Sequence, residues 1–218
     1  MKRNAHPNLL VPAILLLFAL GIWTATAATL TQYWPFDDGG TSNSATNAVG
    51  GGNTASFVNF DTNAAWVASG LPTALTYSTA ALALDGTDDY VNAGNILLKD
   101  KGTLSFWINP ASYNGAVQIF SQVPFADPFA GVLRFDTFGT GNIQVFTGSS
   151  WVDLAPVVPA GSWSHLALVY AYGTLQLWVN GVQQFPGANS GIDFDASNFG
   201  FGARFDLNGA IGGPYGLA

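Results

Sequence analysis

Residues 162–181, SWSHLALVYAYGTLQLWVNG, carry aromatic and β-branched residues in near alternation and show no polar face of helical length. That pattern predicts two strands, over residues 163–170 and 174–179, because a strand turns successive side chains to opposite faces. Asn180-Gly181 follows. This pair tolerates positive φ at both central positions of a type I′ turn, so the chain is expected to return along residues 182–185 as a third antiparallel strand. Similar short patterns occupy residues 30–36, 55–60, 80–84, 90–91, 103–109, 117–122, 131–136, 142–146 and 151–154. Between them lie Gly-, Asn-, Asp- and Pro-rich turns, the longest over residues 37–53. Many short strands at regular spacing, with no sustained 3.6-residue period, predict an all-β antiparallel sandwich. Trp107, Trp163 and Trp178 alternate within predicted strands and are expected in the core.

The first 27 residues differ from this pattern. Lys2 and Arg3 precede an apolar run over residues 9–23, and Ala25-Thr26-Ala27 offers the small residues a signal peptidase needs. The run is shorter than the roughly 20 residues of a spanning helix, and Pro12 interrupts it. The expected organisation is a signal peptide over residues 1–27 and one domain over residues 28–218. The product is expected to be secreted, extracellular or at the cell surface, with no membrane insertion after signal cleavage.

Beyond residue 27 the basic residues are Lys99, Lys101, Arg134 and Arg204, against 13 acidic residues that are all Asp. Such an excess of negative charge excludes nucleic acid as a natural partner. Asp favours turns, in keeping with a loop-rich β chain. The chain has no cysteine, so no disulfide supports the fold.

Four stretches in order carry a family resemblance: Tyr33-Trp34-Pro35-Phe36-Asp37-Asp38, Ala83-Leu84-Asp85-Gly86-Thr87-Asp88-Asp89-Tyr90-Val91, Thr103-Leu104-Ser105-Phe106-Trp107-Ile108-Asn109-Pro110, and residues 162–181. Together they resemble the laminin-G-like jelly-roll domain of the concanavalin A-like lectin and glucanase superfamily. The resemblance implies two antiparallel sheets packed face to face, with a curved sheet and rim loops able to hold sugars or peptides. Its members usually end in one more strand, where this chain reads Gly212-Gly213-Pro214-Tyr215-Gly216-Leu217-Ala218. The last strand is therefore expected to be missing, which would leave a raw edge beside residues 30–36.

Glucanases of the superfamily use paired glutamates, and this chain has no Glu. Asp193 and Asp195 are the nearest carboxylate pair, in a spacing common to turns. His165 is expected as a packed or half-exposed strand residue, with Ser164 on the opposite face. A catalytic set is absent from this reading, and the chain is not expected to be an enzyme. One histidine and no cysteine after residue 27 also argue against zinc, copper or iron.

Calcium suits the acidic loops better, since it takes oxygens from Asp, Asn and backbone carbonyls. Asp85, Asp88 and Asp89, with Asn92 and Asn95 nearby, form one candidate set, and Asp37 with Asp38 another. Asp-Gly and Asp-Asp also make turns without an ion. For a ligand, Trp151 in a loop-like stretch and Phe125 and Phe129 in another are candidate aromatic platforms. The function expected is a secreted non-catalytic recognition module for carbohydrate, a surface glycoconjugate or another cell-surface partner, with calcium as its candidate cofactor. The alternatives are a structural spacer from a larger surface protein and, less favoured, a glycoside hydrolase.

Overall fold

The structure of the chain, a computed structural model, describes residues 28–38, 42–61, 66–68, 70, 79–96, 101–113, 118–122, 132–135, 140–146, 150–172, 174–189 and 197–203. Among these the strands are β1 (Ser44–Ala45), β2 (Ala55–Val58), β3 (Trp66–Ala68), β4 (Ala80–Leu82), β5 (Tyr90–Ile96), β6 (Lys101–Ile108) and β7 (Gln118–Gln122). They continue with β8 (Val132–Phe135), β9 (Asn142–Phe146), β10 (Trp151–Val157), β11 (Ser164–Ala171), β12 (Thr174–Val179), β13 (Val182–Asn189) and β14 (Ser197–Phe201). Every pairing is antiparallel within an eight-stranded sheet ordered β1-β2-β5-β14-β7-β8-β9-β10, a four-stranded sheet ordered β13-β12-β11-β6 and the pair β3-β4. The all-β jelly-roll sandwich expected from the sequence is the architecture observed.

Strand parity explains how the two large sheets meet. In β11, Ser164, Leu166, Leu168 and Tyr170 are buried while the residues between them are half-buried; in β12, Leu175, Leu177 and Val179 are buried. These side chains point to the inner face of the eight-stranded sheet, whose contribution includes Val91, Phe120, Ile143, Val145, Leu154 and Phe199. Phe106 of β6 sits between the layers. Its ring meets Phe120 edge-on at 6.4 Å and Phe201 at 6.0 Å, while Phe120 stacks on Phe199 at 5.3 Å. Edge-to-face contacts of this kind add to the burial of each ring.

The turn at Asn180-Gly181 has φ of 50° and 79°, as a type I′ turn requires, and β11, β12 and β13 form the expected meander. Its neighbour β6, drawn from residues some sixty positions earlier, pairs with β11 in the register His165 to Trp107 and Ala167 to Ser105.

Four expectations need correction. Residues 30–36 form no strand: the Tyr33 N–H donates to Asn47 Oδ1 at 3.2 Å, the Tyr33 carbonyl accepts from Ala48 N at 2.8 Å, and the Trp34 indole N–H donates to the Asn53 carbonyl at 2.7 Å. These bonds turn the segment toward the 42–53 loop. That loop in turn contains the short β1. Trp151 opens strand β10 and so is not in a loop; β10 runs on through Pro156 with a register shift between Asp153 and Val157. Trp107, Trp163 and Trp178 lie outside the core, Trp107 and Trp178 for a reason given below. The expected loss of a final strand falls on residues 204–218, outside the described residues.

Candidate functional site

Since Val145, Val152 and Leu154 belong to the core or pack against it, the alternate residues of β9 and β10 face outward. Trp151 pairs with Phe146 and Asp153 with Gln144 across these strands, and Gln144 pairs onward with Arg134 and Arg134 with Gln118. The Gln144 side-chain amide donates to Asp153 Oδ1 at 2.6 Å. Half-buried Trp151 lies two residues from Asp153 on the same outward face. The outer face of the eight-stranded sheet thus ends, at β10, in a half-buried indole near the exposed Asp153 carboxylate, which the buried Gln144 amide holds in place. An indole face and oriented hydrogen-bonding groups are the usual means of holding a polyol ring.

A second group lies at the start of β5. Asp85 Oδ1 accepts from the backbone N–H of Thr87 at 2.7 Å and of Asp88 at 3.3 Å, an Asx-type turn. Asp89 Oδ2 accepts from Asp85 N at 2.9 Å, and the Asp88 carbonyl accepts from Asn59 Nδ2 at 3.1 Å. This folding of the turn on itself brings a carboxylate oxygen of Asp85, Asp88 and Asp89 within 4.8 Å of one another. Asp85 and Asp88 are exposed, and Asp89 is buried.

The backbone bond from Thr87, aided by those from Asp88 and Asp89, holds the Asp85 carboxyl below its ordinary range. Burial pushes Asp89 up, with further pressure from the charges of Asp85, Asp88 and Asp61. For Asp89 the folded state then binds its proton more tightly than the unfolded chain. Stability falls as pH rises through the ordinary carboxyl value of about 3.9 toward the raised folded value, and the penalty is complete above it. Three carboxylate oxygens this close to one another could hold a metal cation, which would offset the charge pressing on Asp89.

The other sequence candidates are dispersed. Asp37 and Asp38 are exposed, and Asp38 Oδ2 accepts from Thr46 N at 3.0 Å; neither joins the triad. Asn92 Oδ1 is bonded to Gly94 N at 2.9 Å. Phe125, Phe129, Asp193 and Asp195 lie outside the described residues.

A model of the concanavalin A-like lectin/glucanases superfamily matches residues 85–213, more than half of the chain. The chain belongs to this superfamily. Domain 4 of AbnA, a GH43 extracellular arabinanase from Geobacillus stearothermophilus, solved in complex with arabinotriose, superposes with a TM-score of 0.62 at 18% identity, covering 86% of this chain and 87% of that one. A heptameric SAP-like pentraxin from Limulus polyphemus superposes with a TM-score of 0.47 at 15% identity, covering 62% and 68%. The enzymatically active domain of tailspike protein 2 from Bacteriophage CBA120 gives 0.44 at 17%, covering 64% and 24%. No curated protein sequence matches the chain.

Within this concanavalin A-like domain, sequence reasoning missed the Gln144–Asp153 pair and a second constellation. Ser105 Oγ and His165 Nε2 are hydrogen-bonded at 2.7 Å, and the Trp107 ring packs on the imidazole at 5.2 Å. Burial pushes the His165 pKa down, so the neutral ring accepts the serine hydroxyl when its proton sits on Nδ1. A serine–histidine hydrolase also needs an acid that orients the histidine; among the described residues no carboxylate is hydrogen-bonded to His165. Local sequence could not reveal this pair. Only the register of β6 on β11 brings the two residues together.

Proposed function

We propose that the domain is a secreted, non-catalytic carbohydrate-recognition module that takes a sugar on the outer face of the eight-stranded sheet at Trp151, with calcium held by Asp85, Asp88 and Asp89. The observation that carries the reading is the half-buried Trp151 indole two residues from the exposed Asp153 carboxylate, which buried Gln144 orients, on a side of the strand the core does not use. The AbnA domain of like fold is complexed with arabinotriose, which supports an oligosaccharide as the ligand class. Residues 1–27 serve in this reading as the export signal. Among the described residues no helix is long and apolar enough to cross a membrane.

Sheet order separates the two parts of the site. β5, which follows the acidic turn, stands five strand steps from β10, roughly 24 Å at ordinary strand spacing. A calcium ion at Asp85, Asp88 and Asp89 therefore cannot ligate a sugar stacked on Trp151, and its role is to hold the turn. Millimolar calcium is expected to raise the Tm at neutral pH, since a ligand that binds only the folded state stabilises it. Asp88→Ala is expected to abolish that rise, measured by calorimetry. A Tm indifferent to both calcium and chelator would rule out the ion.

Binding itself is tested by glycan array followed by titration. Trp151→Ala should weaken binding of the best neutral oligosaccharide about tenfold or more, the order of magnitude of losing a stacking face worth about 1.5 kcal/mol. No binding by the wild-type chain, with or without calcium, would leave the domain as a structural spacer.

A further inference from the structure

The four-stranded sheet has an outer face of its own. Leu104, Phe106 and Ile108 of β6 point inward or pack on the core, as do Leu166 and Leu168 of β11 and Leu175, Leu177 and Val179 of β12. By strand parity, Ser105, Trp107, His165, Ala167, Gln176 and Trp178 face the other way. Trp107 and Trp178 are half-buried, yet neither joins the core cluster or packs against it. Cross-strand register fixes their arrangement: Trp107 pairs with His165, Ser105 with Ala167, and Ala167 with Trp178. The two indoles therefore stand about 12 Å apart on the strand lattice. Between them lies a floor formed by the Ala167 methyl and the His165 ring, with Ser105 at its side.

We propose that this face is a second carbohydrate site, accepting two or three units of a neutral oligosaccharide between Trp107 and Trp178. The inference rests on the carbohydrate reading above. Two observations carry it. Folding gives two tryptophans no place in the core, and they flank the smallest side chain of the row, which leaves room for a ring between them. The floor also offers polar groups with fixed directions, the Ser105–His165 pair bonded at 2.7 Å.

Charge selects among ligands. In a chain with 13 Asp and a formal net charge of −7, no outward position of β6, β11 or β12 is acidic, and the only charged one, Lys101, lies at the far end of β6. A polyanion would be repelled by the molecule as a whole. An uncharged sugar chain meets an uncharged platform.

This face and the Trp151 face lie on opposite outer surfaces of the sandwich, whose sheets are about 10 Å apart before side chains are added. One short oligosaccharide cannot span both. The domain would then be bivalent, and its apparent affinity for a polysaccharide would exceed that for a trisaccharide by avidity.

The test uses the full chain without residues 1–27 removed by design, as processed by the expressing cell. It is titrated with linear tri- and hexasaccharides of arabinose, xylose, glucose and mannose, and binding is followed by calorimetry and tryptophan fluorescence. Trp178→Ala removes one wall. Ala167→Leu fills the floor at an outward strand position and leaves both indoles in place, so it separates blockage from misfolding. The expected result is two sites in the wild type, with the second weakened tenfold or more by each variant and retained in Trp151→Ala. Binding that Trp151→Ala abolishes and that Trp178→Ala and Ala167→Leu leave unchanged would overturn the second site alone. A wild-type chain that binds none of these sugars would overturn both sites.

Discussion

Phe120→Ala is expected to cost about 3–5 kcal/mol of folding stability, the range for removing a buried aromatic ring and leaving a cavity. Phe120 is 1% exposed and meets rings from both sheets, Phe199 beside it at 5.3 Å and Phe106 across the interface at 6.4 Å. The ring thus joins the two layers rather than one. A domain of this kind has a total stability of roughly 5–15 kcal/mol, and no cysteine is present to hold the unfolded chain together. Denaturant titration followed by circular dichroism measures the loss. Phe106→Ala with Phe120→Ala should cost less than the sum of the two, because the second truncation enlarges a cavity already open. A loss under 1 kcal/mol for Phe120→Ala would mean that the sheets are joined elsewhere.

Gly202→Ala is expected to cost about 2–4 kcal/mol, combining a left-handed backbone penalty with overpacking. Gly202 has φ of +84°, and a Cβ there would collide with Leu84 Cδ2 and approach the Asp89 carbonyl oxygen to 3.1 Å. The backbone oxygen is part of the acidic turn and cannot swing aside like a side-chain end. The strain should therefore reach Asp89 as well, and the calcium-dependent rise in Tm should shrink along with stability. Comparison with Gly161→Ala isolates the packing part, since Gly161 also has positive φ, +68°, but open space where its Cβ would lie. Equal losses at the two positions would refute a steric role for the Gly202 contact.

Much of the fold was legible because local patterns and pairing agree. The period-2 alternation of β11 and β12 and the positive φ demanded by Asn180-Gly181 are local facts, and the meander follows from them. Residues 30–36 alternate as well. Alternation alone does not supply a ladder partner, and here the backbone groups bond instead to Asn47 and Ala48. The outward placement of Trp107 was present in the sequence all the same: Leu104, Phe106 and Ile108 share one parity, and Trp107 has the other. Residue size suggests burial for an indole, while parity decides which face it takes.

The candidate site divides along the same line. The triad Asp85, Asp88 and Asp89 spans five residues and is visible in the sequence, because a single turn assembles it. Gln144 with Asp153, and Ser105 with His165, depend on strand register between distant segments. Such pairs become visible only once the order of strands in each sheet is known.

The strand edges bear on how this protein behaves in a crowded medium. An open sheet exposes rows of unpaired N–H and C=O groups along its outer strands, a template on which further chains can add. Here β10 carries Pro156 and a register shift, β13 carries Pro186, β1 has only two residues, and β6 begins at Lys101. Proline removes a donor from the ladder, and a charged or very short edge gives an incoming strand little to grip. Among the described residues, these interrupted borders are the features that oppose the addition of a strand from a second molecule.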